Sequence, residues 1–253
     1  MSSLEGLTAV VTGASSGIGA ATVVALTDRG MYVHALARRA DRLADLASAT
    51  GCTTHVVDVR DRDLLRDLLT GLEVDVLVNN AGVGRGIHLF TDADPSDLDQ
   101  TIDTNVSAVL HACHAVLPGM VARGRGHLVL LGSTAGLHPL PATVYGASKG
   151  AIHMMTANLR LDLVGTGVRV TEVCPGRVAT EFYDAAIDDP EVRTSLKEIG
   201  ISELDSVDVA DAIAYAVEAP WHVNVTTIEL QPTEQTYGGT HFDRYEGADR
   251  GES

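Results

Sequence analysis

Tyr145 and Lys149 stand four residues apart in a stretch, 144–164, whose apolar spacing predicts a helix, so both side chains share one helical face. A phenol titrates at about pH 10 when unperturbed. A neighbouring ammonium favours the phenolate and lowers that value. Lowering it by ~3 pH units takes about 4 kcal/mol of differential interaction. A tyrosine so tuned exchanges a proton with an alcohol or carbonyl oxygen near neutral pH. Many Tyr-x-x-x-Lys pairs are surface pairs, so neighbours must supply the context. Ser133 follows an apolar run predicted as a buried strand (127–132), within Gly132-Ser133-Thr134-Ala135-Gly136. A hydroxyl there can hydrogen-bond a substrate oxygen and position it for Tyr145; alone, it reads more readily as a turn serine. Asn105 lies inside a predicted helix, 96–122, where asparagine is unfavourable and invites an explanation.

A second set of residues points to a phosphate ligand. An apolar run, 7–12, leads directly into Thr12-Gly13-Ala14-Ser15-Ser16-Gly17-Ile18-Gly19, and a helical pattern follows. Glycines there permit a tight turn, close backbone approach to a phosphate and close packing of helix on strand. The helix N-terminus adds free N–H groups and the positive end of its dipole. The spacing is G-x-x-x-G-x-G rather than G-x-G-x-x-G. The next apolar run ends in Ala37-Arg38-Arg39. A carboxylate at that point would hold the adenosine ribose hydroxyls; two guanidiniums instead suit a 2′-phosphate. The expected cofactor is therefore NADP(H) rather than NAD(H).

These residues need elements to position them. Short apolar, β-branched runs at 7–12, 32–38, 53–59, 74–79, 127–132, 168–174 and 226–230 are predicted strands. Most are continuous rather than alternating, as in strands buried on both faces of a parallel sheet. Helical patterns intervene at 17–29, 41–49, 61–70, 96–122, 144–164 and 207–218. Strand–helix alternation predicts an α/β fold, one Rossmann-like doubly wound parallel sheet of about seven strands with helices on both faces. The whole chain, 1–253, reads as one domain. Residues 177–206 break the rhythm and suggest a substrate-binding loop or lid, with a short helix near 190–199. Residues 231–253 read as a polar C-terminal tail, ordered by a partner subunit if at all.

Together these motifs resemble the short-chain dehydrogenase/reductase family in its single-domain form. The matching elements are Thr12–Gly19, Asp58-Val59, Asn79-Asn80-Ala81-Gly82, Asn105, Ser133, Tyr145 with Lys149, and Pro175-Gly176 with Thr180, in the family's order. The resemblance implies that Gly13, Ser15, Ser16, Ile18 and Gly19 hold the pyrophosphate and adenosine. Asp58 and Val59 would contact the adenine, and Asn80 the adenosine ribose. Ser133 would hold a substrate carbonyl and Tyr145 supply the proton. Lys149 would bind the nicotinamide ribose, and Asn105 would anchor a water in a relay through Lys149. Val178 and Thr180 would hold the carboxamide. Ser16 departs from a position that is often basic in NADP-preferring relatives. The resemblance also implies a homotetramer, or a dimer, built from the two longest helices. The implied activity is interconversion of a carbonyl and an alcohol on a small molecule. The stretch 210–235 resembles a subgroup acting on 3-hydroxy acids or on natural-product aldehydes and ketones. A catalytically silent NADP-binding sensor of the same fold is the rival; intact Ser133, Tyr145 and Lys149 argue against it.

Composition sets the outer limits. Among 253 residues, 34 are acidic and 18 basic, a net charge of −16. Such a surface repels phosphate backbones and anionic lipids, so neither nucleic acid nor membrane is an expected partner. No apolar run reaches the ~18 residues of a membrane span. The three cysteines, Cys52, Cys113 and Cys174, form no paired spacing and fit a reducing cytoplasm. No metal site is expected: His111 and His114 share a helical face, but no third ligand has a recognisable spacing. Arg85 and Arg177 are candidates for pairing with a substrate carboxylate.

Overall fold

The β-branched runs become seven strands: β1 (Thr8–Thr12), β2 (Tyr32–Ala37), β3 (Thr53–Val56), β4 (Val76–Asn79), β5 (Gly126–Leu131), β6 (Val168–Pro175) and β7 (Thr227–Leu230). The computed structural model describes residues 4–236 other than Gly86, His88, Leu89 and Glu198, together with Phe242. All strand pairs are parallel, in the order β3-β2-β1-β4-β5-β6-β7. Strand β1 is the switch point: Val10 faces His34 of β2 on one side and Leu77 of β4 on the other. The direction of winding reverses there, which opens a crevice at the carboxyl ends of the strands.

Helices cover both faces: α1 (Gly17–Thr27), α2 (Ala40–Thr50), α3 (Arg62–Thr70), α4 (Pro95–Ile102), α5 (Ala108–Arg123), α6 (Thr134–Leu137), α7 (Thr143–Asp162), α8 (Phe182–Ala186), α9 (Pro190–Lys197) and α10 (Ser206–Glu218). One core joins Leu65, Met120, Leu128 and Ile152; the other joins Val11, Val23, Leu26 and Ile213. Every residue of β6 is buried, Arg169 and Glu172 included, as in a strand covered on both faces.

The predicted helix 96–122 is not continuous. A π-helical turn, Asp103–Ser107, separates α4 from α5 and buries Thr104 and Asn105. Such turns insert one residue into the helical ladder and are frequent at functional sites. Against expectation, the joined segment Pro95–Arg123 is long and apolar enough, by length and composition alone, to cross a membrane (mean hydropathy 1.3 in its best window). Here it is a core helix, with Ala112, Val116 and Met120 packed on the sheet.

The loop 177–206 carries two short helices, α8 and α9, rather than one. A parallel bridge from Val178 to Leu204 closes its base. The start of the expected free tail is ordered by its own subunit. Glu234 accepts a hydrogen bond from the Ser202 N–H (2.6 Å), and Gln235 accepts one from the Arg177 N–H (2.9 Å). These bonds satisfy two backbone donors of the loop. Residues 237–241 and 243–253 of that segment lie outside the described residues.

Candidate active site

A cavity of about 730 Å³ runs along the carboxyl edge of the sheet. Every expected catalytic and cofactor-binding residue except Asn105 lines it, as does Arg177 but not Arg85. The glycine turn forms one end. Gly13 has φ +68°, and a Cβ there would lie 2.8 Å from the Ala81 Cα. A Cβ on Gly19 would overlap the Gly13 carbonyl oxygen. Turn and helix therefore meet backbone to backbone. Ser16 is the N-cap of α1 but makes no side-chain capping bond. The first turn of α1 thus keeps donors without a side-chain cap, beside Ser15 and Ile18 at the cavity wall. This donor set fits a dinucleotide pyrophosphate. Asn80 braces the turn: its Nδ2 donates to Thr12 O (2.9 Å) and Gly13 O (3.3 Å).

Arg39 and Arg38 take different positions. Arg39 donates from Nε to Ser15 Oγ (3.0 Å) and from Nη2 to Ser16 Oγ (2.6 Å), so it is fastened to the glycine turn. Arg38 is mostly exposed, 4.0 Å from Asp58 Oδ2. The Asp58 carboxylate is gripped by Arg60, whose Nη2 lies 2.6 Å away. That hydrogen bond holds the Asp58 pKa below its ordinary value. Val59 follows at the same wall.

At the other end, Ser133 caps α6 by accepting from the Ala135 N–H (3.1 Å). Ser133 Oγ also donates to Pro175 O (3.5 Å), and Ser133 and Tyr145 line the same cavity. Lys149 Nζ sits 5.9 Å from the Tyr145 ring centroid and donates to Leu131 O (2.7 Å). Phe182 of α8 packs on the Tyr145 ring, centroid to centroid 5.3 Å. The expected lowering of the Tyr145 pKa is overturned in the protein alone. Burial pushes the phenol up to about 12, with the Ser133 hydroxyl pulling the other way. Burial also lowers Lys149 to about 8, against the attraction of Cys174 and Glu172. Desolvation disfavours the charged form of each and outweighs the ammonium's effect on the phenol.

Asn105 stands behind the cavity. Its Oδ1 accepts from the Val83 N–H (2.8 Å), and its Nδ2 donates to Val83 O (2.8 Å) and Ser148 Oγ (3.0 Å). Ser148 Oγ in turn donates to Tyr145 O (2.7 Å). Asn105 thus ties the turn after β4 to the first turns of α7. Val178 and Thr180 line the cavity at the base of the loop 177–206, with Thr180 Oγ1 accepting from the Phe182 N–H (3.3 Å).

The two arginines considered for a substrate carboxylate already hold internal acids. Arg85 pairs with Asp188 (2.8 Å) and Asp97 (3.4 Å), and Arg177 with Glu203 (2.6 Å). Arg42 escaped sequence reasoning, and Phe182 over the phenol and Glu181 were covered only as part of the expected binding loop 177–206, without roles of their own. An acidic residue next to Thr180 was the one available signal for Glu181. Among the described residues, no three His, Cys, Asp or Glu side chains group as metal ligands.

A doubly wound parallel sheet whose crevice runs from a glycine turn to a buried phenol beside a lysine defines a Rossmann-type protein. The model of the short chain dehydrogenase family matches residues 7–191, and the chain belongs to that family. It is 36% identical over 244 residues to the NADP-dependent 3-hydroxy acid dehydrogenase YdfG of Escherichia coli K12, covering 93% of this chain and 98% of that protein. Sulfoacetaldehyde reductase 2 of Chromohalobacter salexigens is 38% identical over 246 residues, with 93% and 98% covered. Among solved structures, the closed form of serine dehydrogenase complexed with NADP+ superposes with a TM-score of 0.88 at 35% identity, covering 94% of this chain and 100% of that one.

Proposed function

We propose that this chain is an NADP(H)-dependent oxidoreductase that interconverts a carbonyl and an alcohol on a small molecule. The observation that carries the reading is that Ser133, Tyr145 and Lys149 line the same cavity as the glycine turn, with Lys149 Nζ 5.9 Å from the Tyr145 ring centroid. NADP(H), when bound, supplies or accepts the hydride. Gly13, Ser15, Ser16, Ile18 and Gly19 would hold its pyrophosphate half. Arg39, with Arg38, would take the 2′-phosphate. Asp58 and Val59 would border the adenine, Asn80 the adenosine ribose, and Val178 and Thr180 the carboxamide.

In the reductive direction Ser133 holds the substrate carbonyl oxygen, and the Tyr145 hydroxyl gives its proton to that oxygen as the carbon is reduced. A phenol held near 12 stays protonated at neutral pH, the form a proton donor needs. The phenolate left behind is stabilised by Ser133 and by the Lys149 ammonium. In the oxidative direction the same oxygen takes the proton back. Lys149 would bind the nicotinamide ribose, and Asn105 would anchor the water through which Tyr145 is reprotonated by way of Lys149.

The names of the relatives make 3-hydroxy acids and their carbonyl partners the first substrate class to test, with natural-product aldehydes and ketones next. A substrate carboxylate binding Arg177 would have to displace Glu203. The assay is NADPH oxidation across a carbonyl panel with wild type and Tyr145→Phe. The reading expects turnover to fall about 10²- to 10⁴-fold in the variant with NADPH binding retained. Equal turnover would return the protein to the class of cofactor-binding sensors.

For assembly we infer a homotetramer, or a dimer, through α5 and α7, which expose Leu110, Met154 and Leu161. Light scattering at the mass of one 26.6 kDa chain would overturn it. Three free, buried cysteines suit a reducing cytoplasm, which fractionation would test.

A further inference from the structure

The loop 177–206 is fastened to the adenosine end of the cavity by one carboxylate. Glu181 accepts from Arg39 Nη1 (2.9 Å) and, through both oxygens, from Arg42 Nη1 (2.7 and 2.8 Å). Arg39 is the N-cap residue of α2 and Arg42 lies in its first turn, so both guanidiniums reach the same point. Arg39 also holds Ser15 and Ser16 of the glycine turn. The neighbouring Thr180 lies against that turn as well, its Cγ2 3.2 Å from where a Gly17 Cβ would stand. On the other side Phe182 rests on the Tyr145 ring at 5.3 Å. Residues 180–182 therefore join the glycine turn, the arginine pair and the catalytic phenol.

The geometry points to Glu181 as an internal competitor for the 2′-phosphate of the cofactor, a specificity-determining latch that an incoming phosphate must displace from Arg39 and Arg42. The inference rests on the cofactor reading given above. A carboxylate and a phosphate both seek bidentate guanidinium partners. In the ligand-free protein Glu181 satisfies Arg39 and Arg42, and the two arginines hold its pKa below the ordinary carboxylate value. A dianionic phosphate takes the arginines over by its greater charge. Glu181 is then released, and with it the loop that carries Phe182. A cofactor lacking the 2′-phosphate cannot release the latch. The cost of opening the ion pair therefore falls only on the 2′-phosphorylated cofactor, and Glu181 sets how much of the arginines' attraction becomes preference for it.

The test uses the full chain and two probes, adenosine 2′-monophosphate and adenosine 5′-monophosphate, alongside NADPH and NADH in calorimetric titrations. Glu181→Gln keeps the side-chain size, removes the charge and lies in a half-exposed position that tolerates exchange. Affinity for adenosine 2′-monophosphate and NADPH is expected to rise about 3- to 10-fold, the scale of two exposed ion pairs, with 5′-monophosphate and NADH changing less than about twofold. Unchanged affinity, weaker NADPH binding, or an equal change for both cofactors overturns the latch. Arg39→Ala separates this from the cofactor reading. If it collapses NADPH preference while Glu181→Gln has no effect, the latch alone fails. If NADPH preference survives Arg39→Ala, the assignment of Arg39 to the phosphate fails, and the latch with it.

Discussion

Lys149→Met is expected to make the protein more stable and less active. Lys149 is 5% exposed, and burial lowers its pKa from 10.5 to about 8. That difference corresponds to about 3 kcal/mol disfavouring the charged side chain in the fold. Methionine fills similar space without charge but gives up the hydrogen bond to Leu131 O, worth about 1 kcal/mol. The net gain near pH 7 is therefore about 2 kcal/mol. Its pH dependence has a definite sign. Between about 8 and 10.5 the unfolded chain binds more protons at this lysine than the folded one, so wild-type stability rises with pH across that window. The variant has no such group, so its advantage should shrink through the same window. Urea denaturation of both proteins at pH 7 and pH 10 measures this. The variant's kcat should fall by about 100-fold or more at pH 7, because the phenolate loses its cation. A wild type more stable than the variant at pH 7, or an advantage independent of pH, would refute the argument that burial dominates at this lysine.

Asn105→Ala removes the side chain that pairs both backbone groups of Val83 and holds Ser148. It should cost about 2–4 kcal/mol, read from urea denaturation, and a loss below about 1 kcal/mol would show those groups repair themselves with water. Gly19→Ala places a methyl group onto the Gly13 carbonyl oxygen and 2.5 Å from Asn80 Nδ2. It should lower stability by about 1–3 kcal/mol and weaken NADPH binding, and unchanged thermal shift with and without NADPH would contradict the close approach.

The sheet and its glycine turn were legible because their signals are local. Continuous apolar runs such as Val76-Leu77-Val78 record burial on both faces, and the glycines record a turn that side chains would obstruct. Tyr145 and Lys149 announce themselves by helical spacing, and Ser133 by its place after a strand. The chain order also implied α/β winding, so the crevice at the carboxyl edge followed from topology.

Other features depend on partners that only the completed sheet brings together. Asn105 reads as a misplaced helical residue until the π turn sets it opposite Val83 and Ser148, 22 and 43 residues away. Arg39 meets Glu181 across 142 residues, and Arg85 meets Asp188 across 103. Motif spacing therefore marked the arginines but not the acids that occupy them. The direction of the Tyr145 and Lys149 shifts was likewise decided by tertiary packing. Residue types specify which groups can ionise and which charges attract, whereas desolvation depends on what surrounds them in the fold.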